Sequence, residues 1–380
     1  MKRSLERILT THTGSLPRPH DLLGLLRDRE DGRREAEPAL HERTRTAVFD
    51  VVRKQTETGL SVINDGEQGR SDYTVYVKDR LTGFAGESLP WPNPDAEEFP
   101  EWTEMARQFA PPFQKRPACT GPVAWKDWPA VERDIQTLRA AADAAGRAEE
   151  VFMTSPSPGQ IGRFLQNRYY ADDETYLYTL ADVMKREYQA IVQAGFILQL
   201  DCPDLALGRH TQFAHLGLAE FRKVAEMHVA VLNYAVADIA PEQMRMHICW
   251  ASTGGPHHRD VPLKDIVDVV IKGRPAGLVV AGANPRHEHE WKVWKDVPLP
   301  AGKLLIAGVI DSTSNFIEHP ELVAERIARY ASVVGRENLI AGVDCGFGTF
   351  AGRVQVDTNI VWHKLRALVE GARLVSKELW

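Results

Sequence analysis

His247 and Cys249 sit two residues apart in "MHICWAS", at the end of an apolar stretch, and a further cysteine, Cys345, follows another apolar run in "LIAGVDCGFGT". On a strand, residues i and i+2 point to the same face, so an imidazole and a thiol in this spacing share one side of a sheet. If the chain returns Cys345 to the same place, the three side chains make a nitrogen and sulfur ligand set with an open fourth position. That is the catalytic rather than the structural arrangement for zinc, and its soft donors favour zinc over magnesium or calcium. The competing reading is plain packing, because cysteine is among the most buried residue types and often acts only as a small hydrophobe. Spacing alone leaves both open.

The elements that would position these residues follow a repeated local pattern of amphipathic helix, glycine stop, short apolar strand and polar cluster. It occurs at Glu42–Thr58 with Gly59 and "LSVINDGEQGR", at "DETYLYTLADVMKREYQAIVQAGFILQLDCPD" with Gly195, and at "HPELVAERIARYASVVGRENLIAGVDCGFG" with Pro320 and Gly335. Proline inside the start and glycine past the end is the expected helix asymmetry. The continuous apolar runs indicate strands buried on both faces, hence a parallel sheet. Strands are expected near 8–15, 61–65, 151–155, 196–201, 245–250, 278–281, 304–311 and 339–344. This count favours an α/β fold of the (β/α)8 TIM barrel type, one domain over residues 1–380, against an open doubly wound sheet. Residues 73–150, rich in proline, tryptophan and acidic side chains, read as a packed lid inserted after the second strand.

In such a barrel the chemistry gathers at the C-terminal ends of the strands. The polar clusters fall there: "THTGSLPR", "NDGEQGR", "LDCPD", "HICWAS" and "DCGFGT". Of the other features, "SPSPGQIGRF" reads as a helix start, "HHRD" at 257–260 as a loop, "RHEHE" at 286–290 as a solvated loop, and Arg18 and Arg70 as surface salt-bridge residues. Cys119 and Cys202 read as packing residues. The net charge of −6, with basic residues scattered, suits small-molecule partners and argues against nucleic acid. Four cysteines in 380 residues fit a reducing compartment. No run approaches the roughly 18 apolar residues of a membrane span, and "MKRSLERILTTHTGS" has no apolar signal core. A cytoplasmic protein with no membrane partner is expected, and assembly into a homo-oligomer is left open.

Five ordered motifs, "TTHTGSLPRP", "INDGEQGRSDY", "QLDCPDLA", "MHICW" and "VDCGFGT", together resemble the cobalamin-independent methionine synthases, in their catalytic barrel and its single-barrel relatives. The resemblance spans nearly the whole chain. It implies a Zn2+ cofactor held by His247, Cys249 and Cys345, with Gly14, Ser15, Glu67 and Asp201 holding the amino-acid part of a thiol such as homocysteine. It also implies the reaction, methyl or other alkyl transfer from a donor to a zinc-bound thiolate. Two positions depart from the family. Ala281 stands where a glutamate ligand is expected, with His287, Glu288 and Glu290 as nearby substitutes. "GVIDSTSNF" offers Asp311 and Thr313 in place of the histidine that delivers a proton to the leaving group. These departures bring in the epoxyalkane–coenzyme M transferases, which resemble the chain in length and ligand set and open an epoxide with a zinc-bound thiolate. A barrel that binds zinc and thiol without turnover is the non-enzymatic alternative. The chain has no room for the second, N-terminal barrel of the full-length synthases, so its donor is expected to differ from their polyglutamyl folate.

Overall fold

A computed structural model describes residues 1–106, 113–146, 148–251 and 253–380. All eight expected strands are present: β1 (Leu9–Thr10), β2 (Val62–Ile63), β3 (Glu150–Pro156), β4 (Ile197–Asp201), β5 (Met244–Ile248), β6 (Gly277–Val280), β7 (Leu304–Ile310) and β8 (Leu339–Val343). They pair in parallel in the order β1-β8-β7-β6-β5-β4-β3-β2. β1 and β2 are only two residues long, and polar side chains close the seam between them. The Ser61 amide donates to Thr10 O (3.0 Å), the Thr10 amide to Ser61 Oγ (3.1 Å), and Thr11 Oγ1 to Val62 O (3.1 Å). The sheet is therefore a nearly closed (β/α)8 barrel and not an open one.

The helices around it begin and stop where local chemistry dictates. Glu37–Thr58 ends at Gly59, whose φ of 92° closes the last turn in the left-handed conformation glycine tolerates. Asp173–Gln193 starts from Asp172, whose carboxylate accepts from the Thr175 amide. Pro320–Val334 opens on its proline and stops at Gly335. Between β2 and β3 the insertion carries a short antiparallel pair, Phe84–Ala85 with Ala118–Cys119, and two short helices, Pro94–Glu98 and Pro100–Ala106. Its last helix, Trp128–Ala145, packs beside Glu37–Thr58 as part of the outer helical ring. Residues 107–112 and 147 of the expected lid lie outside the described residues. Among the described residues, no helix is long and apolar enough to cross a membrane.

The barrel interior is layered. Its floor is apolar, with Leu9, Val279, Ile306 and Ile340 on one side, Val62, Phe152 and Ile197 on the other, and Met1 packed against both. Above lies Arg245, 2% exposed, donating to Gln199 Oε1 (2.8 Å), Thr11 Oγ1 (3.1 Å) and His12 O (2.9 Å), and resting 3.5 Å from the centre of the Phe152 ring. Burial pulls this guanidinium down to about 9, with the Asp201 carboxylate opposing. On β5 the alternation then carries the same face upward from Arg245 to His247, and on to Cys249 just past the strand. Meanwhile Met244, Met246 and Ile248 face the helices. Arg245 ties β1, β4 and β5 together in the barrel centre. Replacing it by methionine leaves Gln199 Oε1 and Thr11 without this donor, and is expected to cost about 3 kcal/mol. The urea midpoint of Arg245→Met beside the parent measures this; an unchanged midpoint would refute it.

Candidate metal centre

β5 and β8 are not neighbours in the sheet, yet barrel closure brings their C-terminal ends to one mouth. Cys249 and Cys345 lie with sulfurs 3.4 Å apart, and one ligand atom each from His247, Cys249 and Cys345 falls within 4.8 Å of the others. The separation excludes a disulfide, whose sulfurs sit about 2 Å apart. It is close to the roughly 3.7 Å expected of two thiolates sharing one ion at about 2.3 Å. All three residues are buried, and among the described residues His247 Nε2 has no hydrogen-bond partner. The other ring nitrogen, Nδ1, lies 3.3 Å from Asp201 Oδ1 at the end of β4. This is the carboxylate–histidine arrangement that fixes the orientation of a ligating imidazole. Contact with Cys249, together with burial, pushes the Cys345 thiol well up. A buried thiol pair of this kind ionises when a cation supplies the compensating charge. The donor set, the orphaned nitrogen and the sulfur spacing all fit a metal ion.

The space beside the cysteines is shaped by Ala281. It lines a cavity of about 290 Å³ together with Cys249, Cys345, Asp311, Thr313 and Asp344. Of the three expected substitutes for the missing glutamate, His287 lines this cavity, but none joins the cysteines in the ligand cluster. His287 and Glu290 are buried and face each other (Nδ1 to Oε2, 2.8 Å), His287 Nε2 lies 2.9 Å from Asp260 Oδ2, and Glu288 pairs with Arg326 and Arg329. The expectation of a solvated "RHEHE" loop is thus corrected, since hydrogen-bonded pairing makes its burial tolerable. Asp311 Oδ1 accepts from both the amide (2.8 Å) and the hydroxyl (2.7 Å) of Thr313.

On the opposite side, a cavity of about 230 Å³ is lined by Ser15, Glu67, Asp201, His247, Cys249 and Cys345. Gly14 lies under it; a Cβ there would stand 2.5 Å from Glu67 Oε1, so only glycine admits the carboxylate. Arg18 and Arg70, expected at the surface, are buried. Arg18 donates to Glu67 O (2.8 Å), while Arg70 donates to Thr154 O (2.9 Å) and Thr154 Oγ1 (3.0 Å), and Thr154 Oγ1 donates in turn to Glu67 Oε1 (3.0 Å). Sequence reasoning missed the roof of this cavity. Tyr73, Trp91, Trp102, Phe164 and Phe350 wall it, and Arg163, 2% exposed, sits 4.1 Å from the Trp91 ring centre with Nε and Nη1 unpartnered. No spacing rule links these residues, which come from the insertion, the helix Pro158–Phe164 and the loop after β8.

Fold and site together define a parallel (β/α)8 barrel with a buried His-Cys-Cys metal-ligand cluster at its C-terminal mouth. No protein-family model matches the chain. It is 25% identical to a methionine synthase of Thermococcus kodakarensis, covering 97% of this chain and 94% of that one. It is 23% identical to a methionine synthase of Saccharolobus solfataricus, covering 97% and 95%. A B12-independent methionine synthase from Shewanella sp. W3-18-1, solved in complex with selenomethionine, shares the fold with a TM-score of 0.72 at 19% identity, covering 98% and 99%. The chain is related, over almost its entire length, to the cobalamin-independent methionine synthases and their single-barrel relatives.

The carboxylates of Glu67 and Asp201 in this cavity carry a measurable electrostatic signature. Burial, reinforced by the nearby Asp201 charge, raises the Glu67 carboxyl to about 7, against the opposing pull of Arg70 and Arg18. Its folded value thus exceeds its unfolded value of 4.5, so between these limits the folded state binds more protons and stability falls as pH rises. Glu67→Gln cannot ionise. It is expected to match the parent at pH 4.5 and to exceed it at pH 8 by about 2–3 kcal/mol, read from urea midpoints. Equal midpoints at both pH values would contradict the assignment.

Proposed function

We propose that this protein is a zinc-dependent S-alkyltransferase that moves a methyl or other alkyl group from a small-molecule donor to a thiol, with homocysteine the leading acceptor. The observation that carries this reading is the convergence of His247, Cys249 and Cys345 in a cavity whose far wall presents Glu67 and Asp201. Zinc held by these three residues would supply the Lewis acidity that keeps a thiol, whose ordinary pKa is about 8.5, deprotonated at neutral pH.

The remaining work falls to the chain itself. Asp201 holds His247 Nδ1 and so aims Nε2 at the thiols. The unpartnered Glu67 Oε2, with Asp201 beside it, offers negative charge to the ammonium of an amino-acid thiol. Ser15 lines the same wall, with Gly14 holding the turn that precedes it. The relative bound to selenomethionine accepts an amino-acid ligand of this type. The aromatic roof of Tyr73, Trp91 and Phe164 excludes water and leaves an apolar approach for the alkyl group. Asp311, hydrogen-bonded by the Thr313 hydroxyl in the adjoining cavity, is the group placed to handle the leaving group's proton.

One observation favours opening of an epoxide as a second reading. Ala281 removes a negative charge and leaves space against both cysteines. A dication with two thiolates and a neutral imidazole is neutral, whereas a glutamate would make the set anionic. The neutral set binds a thiolate more tightly but leaves it less nucleophilic, which suits a reactive electrophile.

The test is product analysis by mass spectrometry, with zinc-loaded protein, homocysteine or coenzyme M, and either methyl donors or short epoxides. S-Methylated homocysteine is expected from the parent and none from Cys345→Ser. Asp201→Asn is expected to lower kcat/KM by about 10–100-fold through the loosened His247. Hydroxyalkyl thioethers from epoxides alone would replace the first reading by the second. Tight thiol binding with no product from any donor would overturn both in favour of a binding barrel.

A further inference from the structure

We propose that Asp95, His210 and Asp260 form a second divalent-cation site, built of one nitrogen and two oxygen donors, that fastens the insertion to the barrel mouth. The three residues come from separate segments: Asp95 from the inserted helix Pro94–Glu98, His210 from the turn Leu207–His210 after β4, and Asp260 from the loop after β5. Each is more than nine-tenths buried, and one ligand atom of each lies within 4.8 Å of the others.

The hydrogen bonding around Asp260 is what points to a ligand. Its Oδ2 is occupied, 2.9 Å from His257 Nδ1 and 2.9 Å from His287 Nε2, and His287 is backed by Glu290. Among the described residues its buried Oδ1 has no hydrogen-bond partner; it faces His210 Nε2 at 3.3 Å, out of hydrogen-bonding alignment. A carboxylate whose outer oxygen is pinned by imidazoles while its inner oxygen is left bare has the form of a metal ligand with its supporting shell. An orphaned carboxylate oxygen is otherwise costly in a dry site. Asp95 Oδ1 also lacks a hydrogen bond, with His258 Nδ1 at 3.1 Å as its ion-pair neighbour. Burial holds the His210 imidazole below its usual pKa and hence neutral, the form that ligates.

Two carboxylates and a neutral imidazole offer two negative charges, of which His257 and His287, both held above their usual pKa against burial by hydrogen bonds to Asp260, offset part, and a dication supplies the remainder. Oxygen-rich donors with a single imidazole suit Mn2+, Fe2+, Co2+ or Zn2+ and disfavour soft ions such as Cu(I). Access is built in. His210 and Asp95 line the cavity of about 230 Å³ that holds the cysteines, and His210 and Asp260 line another of about 340 Å³ opening beside Pro94 and Arg259. With three protein ligands, the ion keeps positions open for an oxygen-bearing group of a molecule entering the first cavity. None of this depends on the alkyl-transfer reading.

The experiment is a cobalt titration of the metal-free, full-length protein. Bound metal is counted by equilibrium dialysis, and the thiolate-to-cobalt charge-transfer absorption is followed in parallel. The parent is expected to bind about two ions per chain, one with thiolate absorption and one without. Cys345→Ser should lose the thiolate band and keep the second ion. His210→Gln and Asp95→Asn should each lose the second ion and keep the band, which also shows that the variant is folded. If His210→Gln loses both, Asp95→Asn on the insertion decides. A single ion in the parent, or two that survive in both Asp95→Asn and His210→Gln, would overturn the proposal.

Discussion

The buried guanidinium of Arg245 is the interaction on which the rest of the molecule leans. It has no carboxylate partner at hydrogen-bond distance, and its contacts are neutral: an amide oxygen, a hydroxyl, a main-chain carbonyl and the face of Phe152. Such a charge is tolerated only where every donor is satisfied and a compensating field is near. The satisfied donors fix β1, β4 and β5 to one another, and the compensating field is that of Asp201, one layer above. The dependence runs both ways. Asp201 can be kept buried against His247 because a fixed positive charge stands beneath it, and the imidazole is thereby held with its free nitrogen toward the thiols.

The same logic governs the wall formed by Glu67 and Asp201. Glu67 and Asp201 would repel each other in a dry pocket, and the structure limits this with Arg70 and Arg18 rather than by exposing the acids. The outcome is a pair of carboxylates poised between repulsion and neutralisation. Glu67 occupies a left-handed conformation, φ 55°, which is uncommon for a non-glycine residue. Backbone strain retained at a position that lines the cavity is typical of a residue whose placement serves binding rather than stability.

The barrel was legible because its signals are local. Apolar runs too continuous for half-exposed strands, three of them preceded by a helix and a glycine stop, mark strands buried on two faces, and strands form in all eight expected places. His247 and Cys249 were legible for the same reason, since their spacing is a property of one strand. Cys345 needed closure of the barrel, which sequence implies only through the strand count. What sequence could not reveal depends on partners distant in the chain. Arg18 and Arg70 look like surface cations until Glu67 and Thr154 fold over them. "RHEHE" looks solvated because burying His287 and Glu290 is acceptable only when Asp260, nearly thirty residues earlier, accepts from the imidazole. Asp95, His210 and Asp260 share no spacing at all.

Ala281 stands in a firmly held frame beside the two cysteines. The loop that follows it is held by Asp344, whose Oδ1 accepts from the amides of Gly282 (2.8 Å) and Ala283 (2.9 Å), and whose Oδ2 accepts from the amide and side chain of Asn284 (both 2.8 Å). A Cβ on Gly308 would strike Asp344 Oδ1 at 2.2 Å, so β7 is also shaped to admit this carboxylate. Four hydrogen bonds are a large investment for a loop that bears only a methyl group toward the cysteines. They fix the backbone just after residue 281, where alanine leaves the cavity of about 290 Å³ that the cysteines also line. Rigid space beside a nucleophile selects by shape. A charged and a neutral longer side chain at 281 would each fill this space, but only the charged one would change the charge beside the cysteines.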